Sequence, residues 1–285
     1  MIKALPQWVF RWAKAEVLPF LQFFRWITII FTITNQSLQL AIRQTAGYIT
    51  RTTVKKYKVQ VFQFMLNVNK NIFSFADAVT TAACSSRSVL IVRHSFRESL
   101  VNGNYDPGLT SAGWDHSVAC GKLLKDLPDV AFGSSSRKRT VETMQGLIRG
   151  AGFPEQEIAP YPLLHDTAMF TKAENLEIAI ERGMVPSLLK EYFSTGTAPG
   201  MRHINEYVPE LLTSLTAPSS ANNLLLCTHD IVIVALLSFF KVYDFTPEDW
   251  CGYIQGAFLY RQNGTWNIAY AVPDKSKREP YSLFV

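Results

Sequence analysis

The sequence predicts an α/β fold: a three-layer α/β/α sandwich on a mostly parallel sheet, preceded by a basic, mainly helical N-terminal extension. Three observations carry this. Apolar runs of strand length alternate with stretches of helical period; the runs Val89–Val92 and Leu224–Cys227 are apolar throughout, as in parallel strands buried on both faces; and charge is unevenly divided along the 285 residues.

Residues 1–88 hold eleven Lys and Arg against Glu16 and Asp77, a balance of +9, whereas the remainder carries −4. The split places a domain boundary near Thr80–Arg87, giving an extension over 1–85 and a catalytic domain over 86–285. Trp8, Phe10, Trp12, Phe20, Phe23, Phe24, Trp26 and Phe31 alternate with Lys3, Arg11, Lys14 and Arg25, a mixture suited to a membrane surface. The charge-free stretch 26–42 includes Thr, Asn, Gln and Ser and falls short of the roughly 20 apolar residues a crossing needs. A packing or oligomerisation arm and a targeting segment are the other readings. Val61, Met65, Val68, Ile72 and Phe75 recur at four-three spacing, which predicts an amphipathic helix.

Val89–Val92 predicts the first core strand, and Arg93-His94-Ser95 follows directly where it stops. In open α/β sheets side chains leaving the carboxyl end of a strand point into the ligand crevice. Histidine there can serve as nucleophile or base, and arginine offers a planar, permanently charged fork for phosphate or carboxylate. Arg97 adds a second cation to the same loop. Val130–Phe132 predicts a further strand, and the helix after it carries Arg139, Thr143, Met144, Leu147 and Ile148 and is stopped by Gly150. Leu163-Leu164-His165-Asp166 predicts a third strand segment. Helices follow around Ala173–Glu181, Val185–Phe193 and Ile204–Leu215; Arg202-His203 opens the last and has an ordinary surface explanation. Leu224–Cys227 ends in Thr228-His229-Asp230 before the helical stretch Ile231–Phe240. Gly256–Arg261 and Thr265–Tyr270 flank Gln262-Asn263-Gly264, a hairpin expected at a sheet edge. The insertion over about 163–220 is long enough to cap the pocket and choose the substrate.

Three strand ends thus deliver Arg93, His94, Arg97, Arg139, His229 and Asp230. On these residues the chain resembles the histidine phosphatase superfamily, over about residues 88–272. The resemblance implies that His94 is the nucleophile, with Arg93, Arg97, Arg139, His229 and Ser95 against the substrate phosphate. Ser135, Arg139 and Thr143 fit the family's Ser, three residues, Arg, three residues, Thr pattern, and Leu109–Gly113 its Leu-Thr, two residues, Gly segment, with Thr110 as N-cap. Arg97 and Asp230 resemble the acid-phosphatase branch, in which the aspartate is the proton donor; Asp166, where the mutase branch takes its acid, is the alternative donor. Ser95 stands in place of the usual glycine. A need for positive φ would strain it, whereas a need for close approach would accept a small hydroxyl, and the second is expected.

These residue types suit phosphoryl transfer, because a neutral imidazole can approach a dianion that repels anionic nucleophiles while arginines offset charge on the nonbridging oxygens. The expected function is a phosphomonoesterase working through a phosphohistidine. The alternatives are a mutase-like phosphoryl transferase and a catalytically silent phosphate-binding module tethered by its basic arm. Glu142, His116 and His165 have no motif around them and read as solvated, structural or exposed. Cys84, Cys120, Cys227 and Cys251 lack paired spacing and read as reduced thiols. No metal or other cofactor is implied. A nucleotide-binding Gly-Lys-Ser/Thr loop and nucleic-acid modules are absent from the sequence. The expected partners are a phosphorylated small molecule or phosphoprotein and a membrane surface, and the expected setting is intracellular.

Overall fold

Val89, Ile91, Leu224 and Leu226 lie on one face of the sheet and Leu90, Val92, Leu225 and Cys227 on the other, all buried, so the two central strands have no solvent face. In the computed structural model, which describes residues 66–99 and 104–278, these strands are β2 (Arg87–Arg93) and β5 (Asn223–Thr228), paired in parallel. Around them stand β1 (Leu66–Ser74), β3 (Val130–Ser134), β4 (Ile158–Pro160), β6 (Gly256–Gln262) and β7 (Thr265–Val272), in the order β1-β7-β6-β2-β5-β3-β4. Only the β2–β6 and β6–β7 pairs are antiparallel. The described residues all fall within one compact unit, residues 55–285.

One face of the sheet is covered by α1 (Phe75–Ala83), α2 (Ser111–Gly121) and α3 (Lys138–Ala151), through Phe75, Cys120, Met144 and Leu147. The other is covered by α4 (Glu174–Glu181), α5 (Val185–Thr195), α6 (Ile204–Thr216) and α7 (Asp230–Phe239). Helix α7 is buried from Ile231 to Leu237, which explains its lack of a polar stripe. The result is the three-layer sandwich predicted from the apolar runs.

Several expectations are corrected. Residues 66–74 form a strand rather than an amphipathic helix. β1 pairs with β7 through a register irregularity between Val68 and Ile72, and this break in the two-residue alternation mimics a four-three spacing. Residues 66–83, which the charge split assigns to the extension, therefore supply an edge strand and a packed helix. Because β1 caps β7, the β6–β7 hairpin lies one strand in from the edge; Asn263 and Gly264 both have positive φ (51° and 79°), as a two-residue turn after a right-twisted strand requires. The short strand before the insertion is Ile158–Pro160, and residues 162–164 and 166–169 form 3₁₀ turns, since Pro160 and Pro162 lack the N–H that a ladder needs. Finally, α3 runs past Gly150 to Gly152, whose φ of 72° makes the left-handed cap. Gly150 serves close packing instead, because a Cβ there would lie 2.0 Å from the Val118 carbonyl oxygen on α2.

The membrane-surface, packing and targeting readings concern residues outside those described. Among the described residues, no helix is long and apolar enough to cross a membrane.

Candidate active site

The carboxyl ends of β2, β3 and β5 are adjacent, and their side chains converge. Arg93 N–H donates to the Gln255 carbonyl and His94 N–H to the Thr228 carbonyl, both at 2.9 Å, so the strand end is held from both neighbours. Arg93, His94, Arg139 and His229 are all buried, at 6, 4, 6 and 2 % exposure. Four ionisable side chains do not leave water together for the sake of stability, which makes the cluster the candidate functional site.

His94 Nδ1 lies 2.8 Å from the Ser95 carbonyl oxygen. A carbonyl only accepts, so Nδ1 carries the proton and the lone pair resides on Nε2. Burial, and then the positive charge of Arg93 and Arg139, pushes this imidazole well below its usual 6.5, which keeps it neutral. The ring centroid lies 5.5 Å from that of His229. His229 Nδ1 is 3.3 Å from Arg139 Nη2, which only donates, so the His229 proton is on Nε2, 3.0 Å from Ser135 Oγ. Burial drives His229 down to about 3, against the opposing pull of Asp166.

Arg93 donates to the Cys251 carbonyl at 2.6 Å, pairs with Asp230 at 3.2 Å, and stacks 4.3 Å from the Tyr253 ring centroid. Asp230 also accepts from Trp250 Nε1 at 3.2 Å and from the Ile231 N–H at 2.8 Å. Between these anchors Ile254 holds a positive φ of 55°, costly for a β-branched residue, while its N–H donates to the Arg93 carbonyl at 3.2 Å. Strain of this kind concentrates where a loop must aim side chains.

Arg139 pairs with Asp166 at 2.8 Å and with Asp106 at 3.6 Å, yet its buried Nε has no hydrogen-bond partner among the described residues. An unmet buried N–H costs about 1–3 kcal/mol, and an anionic oxygen is the natural acceptor. Asp166 accepts from Arg137 Nε at 3.2 Å and from the Thr167 N–H at 2.9 Å, and His165 Nδ1 lies 2.9 Å from it. Burial opposes its ionisation, but its cationic and hydrogen-bonding neighbours hold it well below the usual carboxylate range; with His229 neutral, that charge comes from Arg139 and Arg137. The insertion meets this region through Tyr105, whose carbonyl accepts from Arg139 at 3.4 Å and whose hydroxyl donates to Glu181 on α4.

The structure therefore brings together Arg93, His94, Arg139, His229, Asp230 and Asp166. Arg97 is half-buried, donates to the Glu98 carbonyl at 2.8 Å, and lies close enough to add to the positive potential on Arg139. Ser95 is fully buried without positive φ, so serine fits unstrained where the family has glycine. Its N–H donates to Thr143 Oγ1 at 2.9 Å and its hydroxyl lies 3.0 Å from His116, so these groups face protein partners rather than a phosphate. Thr110 caps α2 as expected. Glu142, read as solvated, accepts the Leu109 N–H at 2.6 Å. Sequence reasoning missed Arg137, Tyr253, Trp250 and the contacts of His116 and His165. Only Arg137 carried a signal, as part of the basic run 137–139.

The buried histidines predict acid sensitivity. Above pH 6.5 they are neutral in both states; below it the unfolded chain takes up protons that buried His229 refuses until about pH 3. Stability is thus fully present above 6.5 and falls on acidification by about 1.4 kcal/mol per pH unit for each such group. Urea midpoints measured from pH 7.5 to 5 will show this decline, and His229→Gln will flatten it; parallel profiles would refute the assignment.

A neutral imidazole between buried arginines at the carboxyl end of a parallel sheet is an arrangement suited to a phosphoryl group. The family model described as the histidine phosphatase superfamily (branch 1) matches residues 89–250, and the chain belongs to that superfamily. It is accordingly an enzyme that hydrolyses phosphate esters. Among solved structures, the chain is similar to mycobacterial glucosyl-3-phosphoglycerate phosphatase in complex with VO3, at 17 % identity and TM-score 0.47, over 65 % of this chain and 98 % of that one. It is also similar to Bacillus stearothermophilus YhfR, at 18 % and 0.46 over 65 % and 96 %, and to an Entamoeba histolytica phosphoserine phosphatase mutant, at 16 % and 0.45 over 65 % and 96 %. No curated protein matches the chain.

Proposed function

We propose that the chain is a phosphomonoesterase that acts on a phosphorylated small molecule or phosphoprotein through a phosphohistidine on His94, with Asp230 as proton donor. The observation that carries this is the fixed His94 tautomer, with Nδ1–H on the Ser95 carbonyl and an uncharged Nε2 lone pair among arginines. Nε2 attacks phosphorus, the phosphorus–oxygen ester bond breaks, and the departing oxygen takes the Asp230 proton. Water then attacks the phosphohistidine, Asp230 takes a water proton, and the phosphorus–nitrogen bond breaks to release phosphate. Arg93 and Arg139, the latter steadied by His229, offset charge on the nonbridging oxygens, and Arg97 adds to the field at the rim.

Asp230 suits the donor role better than Asp166. Asp166 is buried and held ionised by two arginines, whereas Asp230 meets one, Arg93, and keeps 19 % of its side chain exposed, which gives a proton a path to solvent.

Leaving-group chemistry separates the two carboxylates. Asp230→Asn will lower kcat/KM for an alkyl phosphate by about 10²–10⁴, and for p-nitrophenyl phosphate, whose leaving group needs no proton, far less. If Asp166→Asn instead shows the selective loss, Asp166 is the donor. Release of inorganic phosphate, rather than transfer to an added sugar acid, distinguishes hydrolysis from mutase chemistry.

A further inference from the structure

Ser95 and His116 are joined in a way that the glycine of the family pattern could not allow. Ser95 Oγ lies 3.0 Å from His116 Nδ1. The Ser95 N–H donates to Thr143 on α3 at 2.9 Å, and the Ser95 carbonyl accepts the His94 Nδ1 proton at 2.8 Å. The residue that orients the nucleophile is thus gripped from α3 through its backbone and from α2 through its side chain. We propose that Ser95 and His116 form a positioning pair: His116, without touching substrate, holds the carbonyl that fixes the tautomer and aim of His94.

The chemistry of the bond suits the role. A carbonyl that swings away releases Nδ1–H, and the proton can move to Nε2, placing the lone pair on the nitrogen that faces away from substrate. His116 is half-buried, and burial lowers it below 6.5, so near pH 7 one ring nitrogen can accept the serine proton or the other tautomer can donate to its oxygen. The surrounding backbone leaves little slack. A Cβ on Gly113 would lie 2.0 Å from the Phe96 carbonyl oxygen, so α2 sits directly on the loop, and the Thr110 N–H donates to that carbonyl at 3.1 Å. The His116 ring also packs against Phe96, with centroids 4.9 Å apart. A purely packing role is therefore the competing explanation, and the choice of substitutions must separate the two.

The kinetic part of this inference rests on phospho-His94 chemistry; the tautomer part does not. The full chain labelled with ¹⁵N-histidine is compared with His116→Phe, which keeps a ring against Phe96 without the bond, and His116→Gln, which keeps a polar partner. Both substitutions are repeated in Ser95→Gly. Wild type should show His94 as one Nδ1–H tautomer and His116→Phe a mixture. His116→Phe should lose on the order of tenfold in kcat on p-nitrophenyl phosphate with little change in KM, and His116→Gln should retain most of it. In Ser95→Gly, His116→Phe should add no further loss. A wild-type His94 spectrum in His116→Phe overturns the proposal, as does an equal loss in the Ser95→Gly background. If wild type proves inactive, the phosphatase reading fails and the spectrum alone decides the pair.

Discussion

His94→Ala abolishes hydrolysis. The expected loss in kcat on p-nitrophenyl phosphate is about 10⁴-fold or more, the scale seen when a covalent nucleophile is removed from a site whose other parts remain. The loss should be chemical rather than structural. Among the described residues His94 makes one side-chain hydrogen bond, to the Ser95 carbonyl, and it sits neutral because burial and two arginines oppose its charge. Removing it leaves Arg93 anchored by Asp230 and Cys251, and Arg139 anchored by Asp166. The variant should therefore still bind orthovanadate or phosphate, and its thermal midpoint should rise with either. Quenched turnover with labelled substrate gives the complementary readout: an acid-labile, alkali-stable phosphoryl label on wild type and none on His94→Ala. Residual activity within about tenfold of wild type would remove His94 as nucleophile.

What the sequence made legible follows from where its signals are local. Strands β2 and β5 could be read because burial on both faces makes their central runs, Val89–Val92 and Leu224–Cys227, wholly apolar, and α7 because the largely apolar stretch from Ile231 to Phe240 that follows β5 is longer than an ordinary strand. His94, Arg139 and His229 could be read because each follows a strand within a few residues. By contrast, β1 was hidden by its own irregularity: Leu66 alone in it is buried, and the step between Val68 and Ile72 erases the alternation that marks a strand. Gly150 and Gly152 show a different limit. Both suit a helix end, and only the approach of α2 reveals that the first is there for contact and the second for the turn.

The surroundings of the site were the least legible because they are made by distant residues. Tyr253 and Trp250 reach Arg93 and Asp230 from a loop that lies next to β2 only through the β6 pairing, and His116 reaches Ser95 across 21 positions. No spacing rule encodes such contacts. Ser95 illustrates the gain from geometry: the sequence posed a choice between strain and fit, and its backbone φ together with the His116 contact decides for fit.

The second large effect concerns Asp166, whose expected role is to hold charge rather than to donate a proton. Its carboxylate, 7 % exposed, meets Arg139 at 2.8 Å and Arg137 at 3.2 Å. Asp166→Ala leaves two guanidinium groups facing each other with their shared counter-charge gone, and breaking a buried pair from one side costs about 3–5 kcal/mol. For a domain of this size that lowers the thermal midpoint by roughly 10 °C. The pH dependence has a definite sign. The folded carboxylate is held well below 3.8, so its stabilisation is fully present above that value and is lost as pH falls through the lower folded one. The gap between wild type and Asp166→Ala should therefore be widest near neutrality and narrow at acid pH. Inorganic phosphate should restore the variant more than it stabilises wild type, because the anion replaces the missing charge between Arg139 and Arg137. A variant that melts within about 2 °C of wild type yet fails only on alkyl phosphates would show that Asp166 is the acid after all, and that the two arginines do not depend on it for their placement.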